Sequence, residues 1–168
     1  MFYSNTDGQY IQENTPFIIN GIQYPANWLN HASPEEKAAS GLEEVTVVGE
    51  RGDDRFFWVA EQFNGATITF VNTPKQLQDD TSNNSTGLVT SWVNQINQIA
   101  NSLLAPTDWM IIRKAERKTA IPADVTTYRN DVVTEANRLT TAIASVTTVE
   151  ELIEVINGQN WPTTEKNV

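Results

Sequence analysis

The chain of 168 residues contains no cysteine and a single histidine, His31. Without cysteine the protein has no disulfide bonds, no thiolate nucleophile and no cysteine-ligated zinc or iron–sulfur site. One histidine cannot build a multi-histidine metal site, and no serine motif or oxyanion loop accompanies it to complete a catalytic set. We therefore expect no enzymatic activity and no cofactor, and a protein that acts by binding.

Long apolar runs and positive charge are also scarce. No segment approaches the roughly 18–20 consecutive apolar residues that a membrane-spanning helix requires. The chain has 11 lysine and arginine residues against 21 aspartate and glutamate residues, a formal net charge of −10 at pH 7. Because nucleic acids and anionic membrane surfaces are bound by basic faces, neither is an expected partner.

The first 80 residues carry most of the turn signals and most of the charge, with 12 acidic and 4 basic residues. Asn20-Gly21 separates two short β-like runs and predicts a two-residue hairpin. Ser33 followed by Pro34 predicts the capped start of a short helix, which Gly41 ends. Further strands are predicted at 45–48, 55–60 and 67–71. Residues 1–80 are therefore predicted to form a small antiparallel β-meander with one short helix.

Residues 81–87 are polar and are predicted to form a linker to a helical domain at 88–168. Apolar residues recur at three- and four-residue spacings in two stretches, 88–103 and 125–146, which predicts two helices that pack as a hairpin. A short helix lies between them, and a last helix is predicted to begin at Thr148 and to end at Gly158. The predicted fold class is α+β, with a helical hairpin or bundle following the strands.

Two groups of charged residues have a simple structural interpretation. The pairs Asp53-Asp54 and Asp79-Asp80 lack the alternating ligands and closing glutamate of an EF-type calcium loop, so turn chemistry is the better explanation and no metal site is predicted. The basic run at 113–118 could meet an acidic partner, but cations are also favoured near the carbonyl end of a helix.

Five tryptophans are spread along the chain and are expected to be core or interface anchors. Trp109 and Tyr128 both lie on apolar stripes. We therefore predict that both are buried and hold the short helix against the long one.

A set of residues in the second half has a familiar arrangement. The set contains Leu103-Leu104, Thr107-Asp108-Trp109 and Arg113, then Ile121-Pro122, then Tyr128-Arg129 at the start of a long helix. This arrangement resembles the C-terminal motif of bacteriophage tail-fibre assembly chaperones and fibre-associated tail proteins. Residues 16–60 are more loosely similar to related phage tail proteins. Two features depart from the family pattern: a polar tail follows Trp161-Pro162, and the spacer after Arg113 is basic.

The resemblance implies a protein that binds a phage tail fibre or baseplate subunit without covalent chemistry. It would be an assembly chaperone or a resident fibre or baseplate component, located in the bacterial host cytoplasm during assembly and in the virion tail afterwards. Two alternatives stay open, a structural tail adaptor without chaperone activity and a small hydrolase that uses aspartate or glutamate.

The partner surface is predicted on the helical half, because that half is nearly neutral and its apolar stripes are long for one small hairpin. A second copy of the chain is a further possible partner. The predicted contact residues are Leu88, Trp92, Ile96, Ile99, Trp109 and Arg113. The alternative is that the first stripe packs entirely against Val132, Leu139 and Ile143 of the same chain.

Overall fold

A computed structural model describes residues 1–163 and divides the chain into two compact units, the first ending at Thr73 and the second beginning at Pro74. Antiparallel strands come first and helices follow, which confirms the predicted α+β class. The predicted linker, residues 81–87, lies within the second unit. Residues 164–168, the end of the predicted helical domain, lie outside the described residues.

The first unit is built from short strands and two short helices. The strands are β1 (Phe2–Ser4), β2 (Gln9–Ile11), β3 (Phe17–Ile19), β4 (Ile22–Tyr24), β5 (Leu42–Glu44), β6 (Thr46–Val48), β7 (Phe57–Asn64) and β8 (Thr67–Pro74). The helices are α1 (Trp28–His31) and α2 (Pro34–Ala39). The strands form three sheets with the orders β2-β1-β5, β3-β4 and β6-β8-β7.

One pairing differs from the predicted antiparallel meander. β6 runs parallel to β8, with Thr46 opposite Thr67. The physical reason is that β6 pairs with β8 and not with β7, the next strand in the chain. The two-residue turn between β7 and β8 reverses the chain once more, so β8 runs in the same direction as β6. β5 pairs with β1 in the first sheet, and after Val45 the chain enters β6 of the third sheet.

Two local predictions in this unit are confirmed. Asn20 and Gly21 both have positive φ, 48° and 77°, as a two-residue hairpin of the primed type requires. Ser33 caps α2 in a capping box, in which its hydroxyl accepts from the backbone N–H of Glu36 at 3.2 Å.

The core of the first unit is an apolar cluster beneath the first two sheets. Tyr24 and Trp28 pack against this cluster and form an aromatic group with Phe17, one of its buried members. The Phe17 and Tyr24 rings are stacked with their centres 5.1 Å apart. The buried members of the cluster are Ile11, Phe17, Ile19, Leu29 and Leu42. The hydroxyl of Tyr10 donates to the backbone oxygen of Gly65 at 2.7 Å, which ties β2 to the turn between β7 and β8.

The second unit is helical and is organised around two long helices. Its helices are α3 (Leu88–Leu104), α4 (Asp108–Arg117), α5 (Ala123–Ser145) and α6 (Val149–Asn157), with a 3₁₀ turn at Ala105–Thr107 between α3 and α4. α3 packs along α5, which confirms the predicted hairpin. Ile96, Leu139 and Ile143 are completely shielded from solvent in this unit.

The segment before α3 supplies hydrogen-bond acceptors for the first turn of that helix. The N–H groups of Leu88 and Val89 donate to the carbonyls of Gln76 and Leu77, and the Gly87 N–H donates to the Asp79 carboxylate at 2.7 Å. The chain approaches so closely here that a Cβ on Gly87 would lie 2.4 Å from the Leu77 carbonyl oxygen. A side chain at this position therefore forces the capping segment away from the helix.

We expect Gly87→Ala to lower the free energy of unfolding by about 2 kcal/mol, because the added methyl collides with backbone rather than with a movable side chain. Urea denaturation measures this loss. Thr86→Ala, at the exposed neighbouring position, is the matched control. Equal stabilities for the two variants would show that the close approach of residues 77–78 to Gly87 does not limit the side chain at that position.

A buried carboxylate holds the end of α6 against α5. Glu135 accepts two hydrogen bonds from Arg138, both 2.7 Å long, and a third of 2.7 Å from the backbone N–H of Asn160. Arg138 also donates to the Gly158 carbonyl at 2.9 Å. The hydrogen bonds from Arg138 are the main reason that the pKa of Glu135 lies below its ordinary value of 4.5, although burial acts in the opposite direction.

A group whose pKa is lower in the folded than in the unfolded chain stabilises the fold in its ionised form. The contribution of Glu135 is therefore complete above the ordinary value of 4.5 and is lost as the pH falls through the lowered value. We expect Glu135→Gln to be less stable than the wild type at neutral pH, and the difference to shrink on acidification. Urea titrations from neutral pH to about pH 3 measure it, and a constant difference over that range contradicts the assignment.

Candidate binding surface

The helix α4 lies outside the core of its own unit. None of its ten residues is buried, although four consecutive residues, from Trp109 to Ile112, are apolar. Trp109 is 50% exposed, and Ile112 is 59% exposed. Ile111 is also exposed. A helix that exposes this much apolar side chain is typical of a surface that another molecule covers.

The orientation of α4 is fixed by one arginine from the long helix. Arg129 on α5 donates to the Leu104 carbonyl at 3.0 Å and to the Thr107 hydroxyl at 2.6 Å. Its guanidinium also pairs with Asp108, the first residue of α4, at 2.9 Å. Beside it, the Tyr128 hydroxyl donates to the Leu103 carbonyl at 3.3 Å. Arg129 therefore joins the end of α3, the 3₁₀ turn and the start of α4.

An aromatic–cation pair lies on the exposed part of α4. The guanidinium carbon of Arg113 lies 4.6 Å from the centre of the Trp109 ring, one helical turn away. The Nε atom of Arg113 is buried and has no hydrogen-bond partner within residues 1–163. Stacking on the indole therefore positions this side chain. Tryptophan and arginine are also the residue types most enriched among the energetically dominant residues of protein interfaces.

The basic run at 113–118 forms the last turn and the end of α4. Lys114 and Arg117 lie in that last turn, and Lys118 ends the helix with a left-handed φ of 58°. The placement of these cations near the helix carbonyls agrees with the simpler of the two interpretations given above. They also make the exposed end of α4 basic in a strongly acidic chain.

The predicted contact residues of α3 require correction. Leu88, Trp92 and Ile96 are buried in the helical unit, and Ile99 is half-buried. Side chains that pack in their own fold cannot also present a surface to a second protein. The alternative, in which the stripe packs against α5 with its buried Val132, Leu139 and Ile143, is the arrangement that the structure has.

The predicted burial of Trp109 is wrong, since half of its surface is exposed. A 3₁₀ turn separates α3 from α4, and because it has 3.0 residues per turn in place of 3.6, it shifts the phase of the side chains between the two helices. The apolar stripe of the first helix therefore does not continue onto the second. Tyr128 is half-buried and does contact the end of α3 through its hydroxyl. Of the six predicted contact residues, Trp109 and Arg113 are the pair that the structure brings together on an exposed helix.

The acidic pairs take part in turns and caps. Asp79 accepts from Gly87 and from the Thr90 hydroxyl, and Asp80 accepts from Ser82 and Asn83. The hydrogen bonds to Asp80 lower the pKa of its carboxyl, and the largest contributions come from the Ser82 side chain and then the Asn83 side chain. Within residues 1–163, no three histidine, aspartate or glutamate side chains cluster to hold a metal ion. In this described part of the chain, no helix is long and apolar enough to cross a membrane.

Arg129 and Asp108 position the candidate surface, and the sequence patterns did not assign them. Both belong to the set of residues that resembles the chaperone motif, yet no role followed from their spacing of 21 positions. The available signal was an aspartate at the start of α4 and an arginine near the start of α5, which also contains Arg138. Their contact depends on the α3–α5 packing, which brings the start of α5 to the end of α3.

We expect Arg129→Ala to lower the free energy of unfolding by about 2 kcal/mol, because several charge-assisted hydrogen bonds of a mostly buried guanidinium are lost together. Asp108→Ala should cost less than about 1 kcal/mol, since that carboxylate is more than half exposed. Arg117→Ala, at an exposed position of α4, is the control. Urea denaturation measures all three, and equal losses for Arg129→Ala and Arg117→Ala contradict the role given to Arg129.

Comparisons of the chain with protein-family models, with curated proteins and with solved structures find no match. The resemblance to tail-fibre assembly chaperones therefore depends on the motif residues themselves and stays a prediction. The structure adds one fact about those residues. At the base of α4, Tyr128 contacts Leu103, and Arg129 contacts Leu104, Thr107 and Asp108.

Proposed function

We propose that this chain is a tail-fibre-associated protein that acts by non-covalent binding, and that α4 contacts the fibre or baseplate subunit. The observation that carries the proposal is the exposure of Trp109, Ile111 and Ile112 on a helix with no buried residue. The same helix contains the central part of the motif that resembles the chaperone family.

The energetics of α4 favour a binding role over a structural one. Fully burying an isoleucine side chain is worth about 1.5–3 kcal/mol, and Trp109, Ile111 and Ile112, which are 42–59% exposed, leave a large part of such a gain unused. The Arg129 hydrogen bonds fix the start of α4, so the helix is presented in one orientation before any partner arrives. A preorganised surface binds more tightly because less conformational entropy is lost on association.

The basic end of α4 indicates the chemistry of the partner surface. Four of the chain's 11 basic residues lie within 113–118. A partner that covers Trp109 and Ile112 also meets these cations, so the matching patch on the fibre or baseplate subunit carries apolar side chains beside carboxylates.

Co-expression with the neighbouring fibre gene tests the proposal. We expect Ile112→Lys to weaken the complex with the fibre subunit by about tenfold or more, because the substitution places a charge at the centre of the apolar patch. Co-purification and titration of the isolated fibre measure this loss. Val47→Lys is the matched control, since Val47 is 55% exposed and lies on a strand of the first unit.

Both variants should keep the circular dichroism and the urea midpoint of the wild type, because both positions are exposed. A chaperone is indicated if the fibre is soluble only when the chain is co-expressed. A structural adaptor is indicated if the fibre folds alone and still binds the chain through Ile112. The proposal is refuted if the fibre does not bind the wild-type chain, or if it binds the Ile112→Lys variant as tightly as the wild type.

A further inference from the structure

The strand β7 lies at the end of its sheet and differs from the other edge strands. Its sheet has the order β6-β8-β7, and within residues 1–163 no strand lies on the outer side of β7. β7 is eight residues long, whereas the other edge strands, β2, β3, β4, β5 and β6, have three residues each. Ala60, Glu61, Gln62, Phe63 and Asn64 are all exposed.

Proteins usually protect an exposed edge strand with charge, proline or short length. β7 has no proline, and Glu61 is the one charged residue between Phe57 and Pro74. The rest of the first unit is densely acidic, because residues 1–73 hold ten acidic and three basic residues. A long edge with a single charge is therefore the part of this unit where a second acidic molecule can approach with the least repulsion.

The sequence of β7 also restricts how two copies could pair. Two antiparallel edge strands are related by a two-fold axis perpendicular to the sheet. This axis keeps each face of the sheet on its own side, so two residues that face each other across the pair must have their side chains on the same face. Because side chains alternate along a strand, a residue faces itself at the axis. Two such registers pair seven residues of β7, one centred on Ala60 and one centred on Glu61.

Charge decides between the two registers. Centring on Glu61 places two carboxylates directly opposite each other, which destabilises a strand pair. Centring on Ala60 places Glu61 opposite Val59 of the second copy and Phe57 opposite Phe63 of the second copy. The latter aromatic pair occurs twice, once on each side of the axis. Phe63 packs edge-on against Tyr10 of its own chain, with ring centres 5.2 Å apart, and is still 56% exposed before pairing. Aromatic cross-strand pairs are among the favourable contacts of a sheet.

We infer that two copies of this chain associate through β7 in an antiparallel register centred on Ala60. The result is a closed dimer with one continuous sheet in the order β6-β8-β7-β7-β8-β6. The inference is independent of α4 and of the proposed function, since it uses a different surface.

Single cysteines test the register, because the wild-type chain contains none. In the proposed dimer the Cα atoms of the two Ala60 residues lie about 4.5–5.5 Å apart, within the range that a disulfide spans. We expect Ala60→Cys to form a disulfide-linked dimer under mild oxidation. Gln62→Cys is the control, since the two copies of that residue would be about 13 Å apart.

Ala60→Lys tests the association itself, since it places two ammonium groups opposite each other at the axis. We expect the dissociation constant to rise about fivefold or more, with the circular dichroism of the monomer unchanged at this exposed position. Sedimentation velocity over a concentration series measures it. A monomeric wild-type chain overturns the inference. So does a dimer that cross-links better through Gln62→Cys or Glu61→Cys than through Ala60→Cys.

Discussion

The packing of α3 against α5 is the interaction on which the helical unit depends. It buries Trp92 and Ile96 from one helix and Leu139 and Ile143 from the other. Because the two helices are held side by side, the first turns of α5 lie beside the last turn of α3. Tyr128 and Arg129 can then donate to the carbonyl oxygens of Leu103 and Leu104 in the last turn of α3. The orientation of α4 is thus a consequence of the packing between α3 and α5, the helices before and after it.

Local signals in the sequence identified those elements whose stability is itself local. The hairpin at Asn20-Gly21 and the capping boxes at Ser33 and Thr148 depend on residues at most three positions apart, so the pattern contains the whole cause. The helical periodicity of α3 and α5 likewise reports one buried face for each helix. The first two strands went unpredicted because each has only three residues, too few to show an alternating pattern, and a four-residue loop joins them in place of the two-residue Asn-Gly turn that marks β3 and β4.

The remaining features depend on long-range contacts that no short pattern contains. The parallel pairing of β6 with β8 depends on β6 pairing past β7, its neighbour in the chain. The exposure of Trp109 depends on how α4 lies on its unit after the 3₁₀ turn at Ala105–Thr107. An amphipathic stripe shows that a helix has an apolar face and not what covers that face. For α3 the cover is α5, whereas for α4 none of the helix's own residues is buried. Leu88, Trp92 and Ile96 were therefore misassigned, and Trp109 and Arg113 remained as the candidate contacts.

The absence of buried residues in α4 also affects how this protein can change over generations. Substitutions in a core are constrained by the packing around them, and most of them reduce stability. The exposed side chains of α4 escape that constraint, provided that Asp108 and the carbonyls bound by Arg129 stay in place. Selection can then alter what the helix recognises while the scaffold that presents it is inherited unchanged.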